Sequence, residues 1–389
     1  MRDVAVIGVG MHPFGQFADK GLKDLGRVAI WNAIKDAGVP PKDIQVAYSG
    51  NSLGGLLTGQ EGVRGQTIIR DAGFGGIPII NVENACASGS TAFRGAWLEV
   101  ASGLRDVALA VGVEKMFVGD VAKSMAALAA DSDVELARMG LQFVGLYAMG
   151  LKKYMDIYGV TKEHFAKVVV KNSYNGSLNP YAQFRKPLTM DRVLNSPVIA
   201  EPITLLMCSS ISDGAAAAIL CSKDIARRYS RKPVVEVAAC ALRSGMWQSP
   251  EKKLSERDIV ALTAKEAYRQ AGVGPEDIDV AEVHDGMAPA EMMVYEEIGL
   301  CGEGEAKVLV DQGRTAITGD IPVNPSGGLA AKGHPIGATG IAQIAEIVWQ
   351  LRGEAGKRQV SNPRIGLCQN TGGYVDGDAA ACSITILKV

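Results

Sequence analysis

An eleven-residue phrase occurs twice in this chain. Ala37-Gly38-Val39-Pro40-Pro41-Lys42-Asp43-Ile44-Gln45-Val46-Ala47 returns as Ala271-Gly272-Val273-Gly274-Pro275-Glu276-Asp277-Ile278-Asp279-Val280-Ala281, eight of eleven positions identical at an offset of 234. Each copy reads as an amphipathic helix stopped at Ala-Gly, a proline turn and an apolar strand. A second echo pairs Asp213-Gly214-Ala215-Ala216-Ala217-Ala218-Ile219 with Asp376-Gly377-Asp378-Ala379-Ala380-Ala381-Cys382, two small-residue strands suited to burial between helices. Two similar α/β halves follow. A third echo, at an offset of 248, aligns Cys86-Ala87-Ser88-Gly89-Ser90-Thr91 with His334-Pro335-Ile336-Gly337-Ala338-Thr339, both opening a helix. The second helix is expected at about 338–352, with Ile341, Ile344, Ile347, Val348 and Leu351 spaced for one buried face. A pseudo-twofold axis between the halves would carry both helix starts toward a common centre.

Cys86 stands out among seven cysteines because its small-residue elbow separates an apolar run, 77–82, from a helical one, 91–102. A thiol at a helix start meets free backbone N–H groups and the positive end of the helix dipole, which favour the reactive thiolate. The other cysteines are scattered at 208, 221, 240, 301, 368 and 382, an odd total without Cys-x-x-Cys spacing. That pattern opposes a disulfide framework and a zinc site and suits a reducing cytoplasm. A formal net charge of −2 gives no electrostatic footprint for nucleic acid. No apolar run reaches membrane-spanning length, the first one is too short for a signal peptide, and the last residues are not Ser-Lys-Leu.

Between the halves the character changes. Residues 117–207 begin as Met-rich helix and pass into an irregular Asn/Pro/Arg stretch at 179–202, an insertion able to lie over one half as a lid. The expected division is 1–116 plus 208–230 for the first half, 117–207 for the inserted loop domain and 231–389 for the second half.

Several ordered motifs carry a family likeness: Asn84-Ala85-Cys86-Ala87-Ser88-Gly89, Gly50-Asn51 followed by Gly59-Gln60, Asn179-Pro180-Tyr181-Ala182-Gln183-Phe184, Ser212-Asp213-Gly214-Ala215-Ala216, His284-Asp285, and Asn324-Pro325-Ser326-Gly327-Gly328 leading into Gly333-His334-Pro335-Ile336-Gly337-Ala338-Thr339-Gly340. Over essentially its full length the chain resembles the thiolases, in particular the sterol-carrier-protein-type and archaeal branch. The resemblance implies two duplicated βαβαβαββ halves in a five-layered α-β-α-β-α arrangement with an inserted loop domain. It also implies an acyl-CoA:acetyl-CoA C-acyltransferase that forms or cleaves a 3-oxoacyl-CoA. The roles carried over are Cys86 as acyl carrier, His334 as its activating base, His284 in the enolate oxyanion hole and Cys368 as second acid/base. The backbone N–H groups of Cys86, Gly372 and Gly373 would hold the tetrahedral oxyanion. Coenzyme A thioester enters as substrate, with no covalently bound cofactor and no metal. A homodimer or dimer of dimers is implied, and in this branch a zinc-ribbon/OB-fold partner protein.

Two departures qualify this pattern. His284-Asp285-Gly286-Met287 stands where the sterol-carrier branch usually reads His-Asp-Cys-Phe, so an acid/base cysteine is missing. Cys368-Gln369-Asn370-Thr371-Gly372-Gly373-Tyr374 replaces the commoner Cys-x-Gly-Gly-Gly, and Tyr374 is either a phenol used in the site or a packed aromatic, the latter slightly favoured. If Cys368 does not point inward, the chain is instead an acyltransferase or retro-aldolase relative without thiolase activity; a separate alternative is a degenerate, non-catalytic structural partner of an active subunit.

Remaining candidates read more simply. His12 is expected in a surface turn, His164 on a solvated helix face, and the Arg227–Lys232 run in solvent rather than on coenzyme A phosphates. Gly8-Val9-Gly10 lacks the third glycine and following helix of a dinucleotide fingerprint. Gly50-Asn51-Ser52-Leu53-Gly54 matches a serine hydrolase elbow and makes Ser52 the rival nucleophile.

Overall fold

Both copies of the repeated phrase fold alike in the computed structural model, which describes residues 1–246, 259–375 and 377–389. The helices Leu22–Ala37 and Ile259–Ala271 each end on a glycine in the left-handed region, Gly38 and Gly272, both at φ 68°. A single 3-10 turn follows each, Pro41–Asp43 and Pro275–Asp277. Strands then begin at Val46 and Val280.

The strands are β1 (Val4–Gly15), β2 (Val46–Gly50), β3 (Ile79–Val82), β4 (Val107–Glu114), β5 (Val198–Ala200), β6 (Ile203–Thr204), β7 (Asp213–Ser222), β8 (Val235–Ser244), β9 (Val280–Glu282), β10 (Ile365–Gly372) and β11 (Ala381–Lys388). Nine form one sheet in the order β3-β2-β4-β7-β1-β8-β11-β10-β9. The two halves of that sheet join through a short antiparallel contact, Ala5 with Glu236 and Val6 with Val235. Within each half the same pairing recurs. β2 and β4 run parallel and β4 and β7 antiparallel in one half; β9 and β10, then β10 and β11, repeat this in the other. The second echo locates its strand slightly early: β11 starts at Ala381, and Asp376 lies outside the described residues.

Among the described residues three large apolar clusters pack the layers, the central one holding helices between the two half-sheets. Helices Leu22–Ala37 and Arg64–Asp71 cover the outer face of the first half-sheet. Helix Ile259–Ala271 covers the outer face of the second. Between the half-sheets lie Ser88–Ala101 and Ile336–Arg352, packed on inner-face residues of β1, β4, β7, β8 and β10. The latter helix begins at Ile336 and is buried nearly all round, Trp349 being partly exposed, rather than on one face. A helix clamped between two sheets has no solvent side. The glycine pair of the apparent dinucleotide fingerprint serves packing: a Cβ on Gly8 or Gly10 would stand 2.4 or 2.3 Å from the backbone at Ala33 of the covering helix.

The segment between β4 and β5 touches both halves: Ala127 packs with Leu53, Leu57 and Met116 of the first, and its later helices lie on the second. Its helices Phe143–Tyr158 and Lys162–Leu178 bury Leu151, Tyr154, Phe165 and Val168 with Ile259, Met292 and Tyr295. Asn175 and Asn179 donate to the carbonyls of Asn324 and Ser326 at 2.9 and 2.8 Å. Of the methionines, Met139 and Met149 face solvent and Met116 is buried.

The two central helices cross at glycines. A Cβ on Gly340 would lie 2.5 Å from the backbone nitrogen of Ser90, and one on Gly89 would lie 2.7 Å from the carbonyl oxygen of Gly337. Gly340→Ala is therefore expected to cost about 1–3 kcal/mol in equilibrium urea unfolding, the usual range for overpacking. An unchanged midpoint would contradict so close a crossing.

Candidate active site

Cys86 is presented by a strained elbow. Beyond β3 the chain passes Ala85 at φ 48°, a left-handed conformation that a residue with a Cβ seldom adopts, and enters a 3-10 turn and then the helix Ser88–Ala101. The Asn84 N–H donates to Ser88 Oγ at 2.9 Å and the Ser88 hydroxyl donates to the Ala85 carbonyl at 2.7 Å, closing the elbow. The end of β10 passes directly behind it. A Cβ on Gly372 would stand 2.1 Å from the Asn84 carbonyl oxygen, so glycine is what lets that turn approach the thiol.

His334 comes from the other half. Its backbone N–H donates to Ser212 Oγ at 3.0 Å, and its Nε2 lies 3.3 Å from Cys86 Sγ. Its Nδ1 is 2.8 Å from Thr339 Oγ1, whose hydroxyl donates to the Pro335 carbonyl at 3.2 Å. A neutral imidazole that offers its Nε2 lone pair to the thiol carries its own proton on Nδ1, which Thr339 Oγ1 is placed to accept while it donates to Pro335. His284, in the loop after β9, has the opposite tautomer. Asn370 Nδ2 donates to its Nδ1 at 3.0 Å, which leaves Nε2–H free as a donor, and Gln369 Oε1 fixes its backbone N–H at 2.8 Å. The two rings meet edge to face with centroids 5.1 Å apart. Asp285 turns away, accepting from the Leu329 N–H at 2.8 Å and Asn172 at 3.1 Å.

Cys86, His284 and His334 are also the one group of potential metal ligands among the described residues, their donor atoms all within 4.8 Å of one another. They open into a cavity of about 460 Å³ whose floor includes Gly372 and Gly373. The inserted segment roofs it with Met125, Leu128, Leu141, Phe143, Val144 and Tyr147.

The electrostatics correct one expectation. Burial, then the nearby Asp131 and Glu114, push the Cys86 thiol well above its usual range, against the opposing pull of the backbone N–H groups of Cys86 and Gly373. Burial likewise holds His334 well below the imidazole range, helped by His284 and Lys332, and lowers His284 to about 4. The resting pair is thiol and neutral imidazole, because desolvation outweighs the helix start. Glu114 and Asp131 are each raised to about 7, chiefly by burial.

Two sequence candidates lie elsewhere. Cys368 is buried on the inner face of β10, among Val280, Ile344 and Ile347, and is not part of the cavity lining. Burial and Glu282 raise its thiol well above the usual range. Counting back from the Gly372-Gly373 turn, the residue on the same face one pleat nearer the cavity is Asn370, about 6.6 Å further along the strand. Tyr374 is half-buried outside the lining; its backbone bonds the Asp131–Asp133 turn through N–H to the Asp131 carbonyl and carbonyl to the Asp133 N–H, both at 3.2 Å. Ser52 lacks an imidazole: its hydroxyl faces Asp131 at 2.7 Å and Glu83 at 3.3 Å. His12 is buried within β1 against Phe17, not in a surface turn. His164 caps its helix, accepting from the Thr161 N–H at 3.0 Å. Lys232 of the basic run pairs with Asp36 and Glu354.

Asn370, Asp131, Glu114 and Tyr147 escaped the sequence reading. Asn370 was signalled by its distance from the Gly-Gly turn; the other three come from segments whose path over Cys86 no local pattern gives.

Comparison with known proteins gives the family. Residues 4–224 match the thiolase N-terminal domain and residues 248–385 the thiolase C-terminal domain-like family. The chain belongs to the thiolase family. Among its relatives are the acetyl-CoA acetyltransferase of Methanothermobacter thermautotrophicus, 46% identical over 99% of both chains, and the benzoylsuccinyl-CoA thiolase subunit BbsB of Thauera aromatica, 38% identical over 96% of this chain and 95% of that one. A solved structure titled as an Ltp2-ChsH2(DUF35) aldolase superposes with a TM-score of 0.83 at 27% identity, covering 98% of this chain and 97% of that one. The thiolase fold and the acyltransferase class expected from sequence stand.

In this thiolase, Asp131→Asn removes the largest charge opposing ionisation of Cys86. Above pH 7, where Asp131 is ionised in the parent, alkylation of Cys86 by iodoacetamide is expected to quicken roughly three- to tenfold. An unchanged or slower rate would contradict that electrostatic account.

Proposed function

We propose that the chain is an acetyl-CoA C-acyltransferase that forms or cleaves a 3-oxoacyl-CoA through an acyl thioester on Cys86. The observation that carries this reading is the 3.3 Å approach of His334 Nε2 to Cys86 Sγ across the two halves. In cleavage, the Cys86 thiol attacks the 3-oxo carbon as its proton passes to His334 Nε2, so a buried thiolate never stands alone. Oxygen charge developing on the tetrahedral centre meets the N–H groups of Cys86 and Gly373, which already point at the sulfur. Breaking the carbon–carbon bond leaves an acetyl-CoA enolate, whose oxygen the His284 Nε2–H can bind. His284 is suited to that task because it stays neutral and its tautomer is set by Asn370. Attack by a coenzyme A thiol then releases the acyl group, and the reverse sequence makes the bond.

The apolar roof supplied by 117–207 supports an acyl chain larger than acetyl as a partner to the acetyl unit. We assign the same segment as the loop domain between a first half of 1–116 plus 208–230 and a second half of 231–389. A homodimer, or dimer of dimers, is supported by the edge position of β3 in the sheet, where a strand of a second copy could pair. Partner binding by a zinc-ribbon/OB-fold protein is supported by relatives named as a subunit and as a DUF35 complex. Cytoplasmic residence is supported by the absence of any disulfide among the described cysteines; no helix of the described residues is long and apolar enough to cross a membrane.

The likeness to the Ltp2-ChsH2(DUF35) aldolase at 27% identity favours one second reading, a retro-aldol cleavage, and that reaction leaves no acyl group on Cys86. Incubation with acyl-CoA followed by mass spectrometry is expected to find one acyl group per chain on Cys86, with coenzyme A released in equal amount. His334→Ala should slow this acylation about 10²–10⁴-fold. Full activity in Cys86→Ala, or an acyl group found on another residue, would reject the acyl-enzyme.

A further inference from the structure

The acyl-enzyme route needs a proton at a place that Cys368 cannot reach. When the carbon–carbon bond breaks, carbon 2 of the departing acetyl unit must gain a proton; in synthesis it must lose one. Carbon 2 is bonded to the thioester carbon, so it sits beside whatever group binds the enolate oxygen, here His284 Nε2. Around that nitrogen the loop supplies no side chain, because residue 286 is glycine.

The space is nevertheless filled. A Cβ built on Gly286 would stand 3.3 Å from His284 Nε2 and 3.0 Å from Tyr147 Oη. Tyr147 belongs to the helix Phe143–Tyr158 of the inserted segment, and its ring lines the cavity together with Cys86, His284, Gly286 and His334. Among the described residues no group accepts its hydroxyl proton; Tyr174, Tyr181 and Tyr374 share that lack, but Tyr147 alone of the tyrosines lines the cavity, and the phenols of Tyr48, Tyr154, Tyr158, Tyr229, Tyr268 and Tyr295 all donate to a protein oxygen. A phenol placed deep in a site without a protein acceptor is poised for one that arrives with the substrate. Burial first, then the neighbourhood of Cys86 and Asp285, hold its hydroxyl above the ordinary tyrosine range, so it is protonated when substrate arrives.

We propose that Tyr147 is the second acid/base of the reaction, supplied by the lid segment in place of a side chain at position 286. In the cleavage direction the pair of electrons from the broken carbon–carbon bond forms the enolate. Carbon 2 then takes the proton of the Tyr147 hydroxyl, giving acetyl-CoA and a phenolate. The phenolate recovers a proton from the thiol of the incoming coenzyme A, and the thiolate so formed attacks the acyl-Cys86 thioester. Cys86 leaves as thiolate and regains the proton held by His334, so protons and charges balance over the cycle. In synthesis the steps reverse, and the phenolate removes the α-proton. The inference rests on the acyl-Cys86 reading, and it gives the inserted segment a chemical task beyond roofing the cavity.

Two half-reactions separate Tyr147 from Cys86. Acylation of Cys86 by the acetyl thioester of 2-nitro-5-thiobenzoate, whose thiolate leaves without needing a proton, read by mass spectrometry, does not use the phenol; exchange of the acetyl-CoA methyl protons with deuterium oxide, read by proton NMR, does. Tyr147→Phe is expected to acylate at the parental rate but to lose proton exchange and thiolytic turnover about a hundredfold or more. Exchange within threefold of the parent overturns the proposal. If Tyr147→Phe instead loses acylation too, the variant carrying both Tyr147→Phe and Gly286→Cys decides. That thiol would rise beside His284 Nε2 into the volume the hydroxyl vacated; recovery of at least a tenth of parental exchange supports the proposal, and no recovery overturns it. Failure of the unmodified protein to acylate Cys86 at all would be failure of the acyl-enzyme reading, visible before any variant is made.

Discussion

Where the helix Ser88–Ala101 crosses Ile336–Arg352, Gly89, Gly337 and Gly340 remove the layer of Cβ atoms that would hold two helices apart. Backbone then meets backbone, to the point that a single methyl on Gly340 would sit 2.5 Å from the Ser90 nitrogen. Because both helices are buried between half-sheets, this contact fixes the relation of one half of the molecule to the other. It also fixes the residues that precede each helix. Cys86 and His334 each stand just before a helix of the crossing pair, and their 3.3 Å separation is a consequence of that crossing.

Burial decides the protonation states that such a crossing produces. A helix start would by itself favour thiolate, worth at most about 2 kcal/mol in partly buried sites. Taking a sulfur anion and an imidazolium out of water costs more, and Asp131 and Glu114 add like charge. Acid/base power is therefore latent, released when substrate oxygen can take the developing charge. The hydrogen bonds set this up in opposite senses at the two histidines: Thr339 leaves His334 an acceptor toward Cys86, and Asn370 leaves His284 a donor toward the cavity. One residue type thus supplies both a base and an oxyanion donor within a single cavity.

The duplication was legible in the sequence because each half must fold by the same local rules. Ala-Gly stops a helix and Pro starts a turn in either copy, and six shared letters before a strand are enough to reveal it. Cys86 and His334 were legible for the same reason, as aligned helix starts. Cys368 was misread because the motif was matched by its cysteine rather than by its glycines; Cys368 and Asn370 share one face of β10, and counted from Gly372 the place nearer the cavity belongs to Asn370. His12 was assigned to a turn because Pro13 follows it, yet β1 continues through to Gly15. Tyr147 and Asp131 were invisible for a deeper reason. They come from the stretch between β4 and β5, which packs on both halves, and nothing in its own periodicity records the surfaces it covers.

A crystal structure of the acylated protein with coenzyme A bound tests the central claim most directly. The account predicts a thioester on Cys86 Sγ with its carbonyl oxygen on the N–H groups of Cys86 and Gly373, and His334 Nε2 and His284 Nε2 both facing the coenzyme A thioester end. Density for the acyl group on any other side chain, or a His334 ring turned away from residue 86, would contradict it.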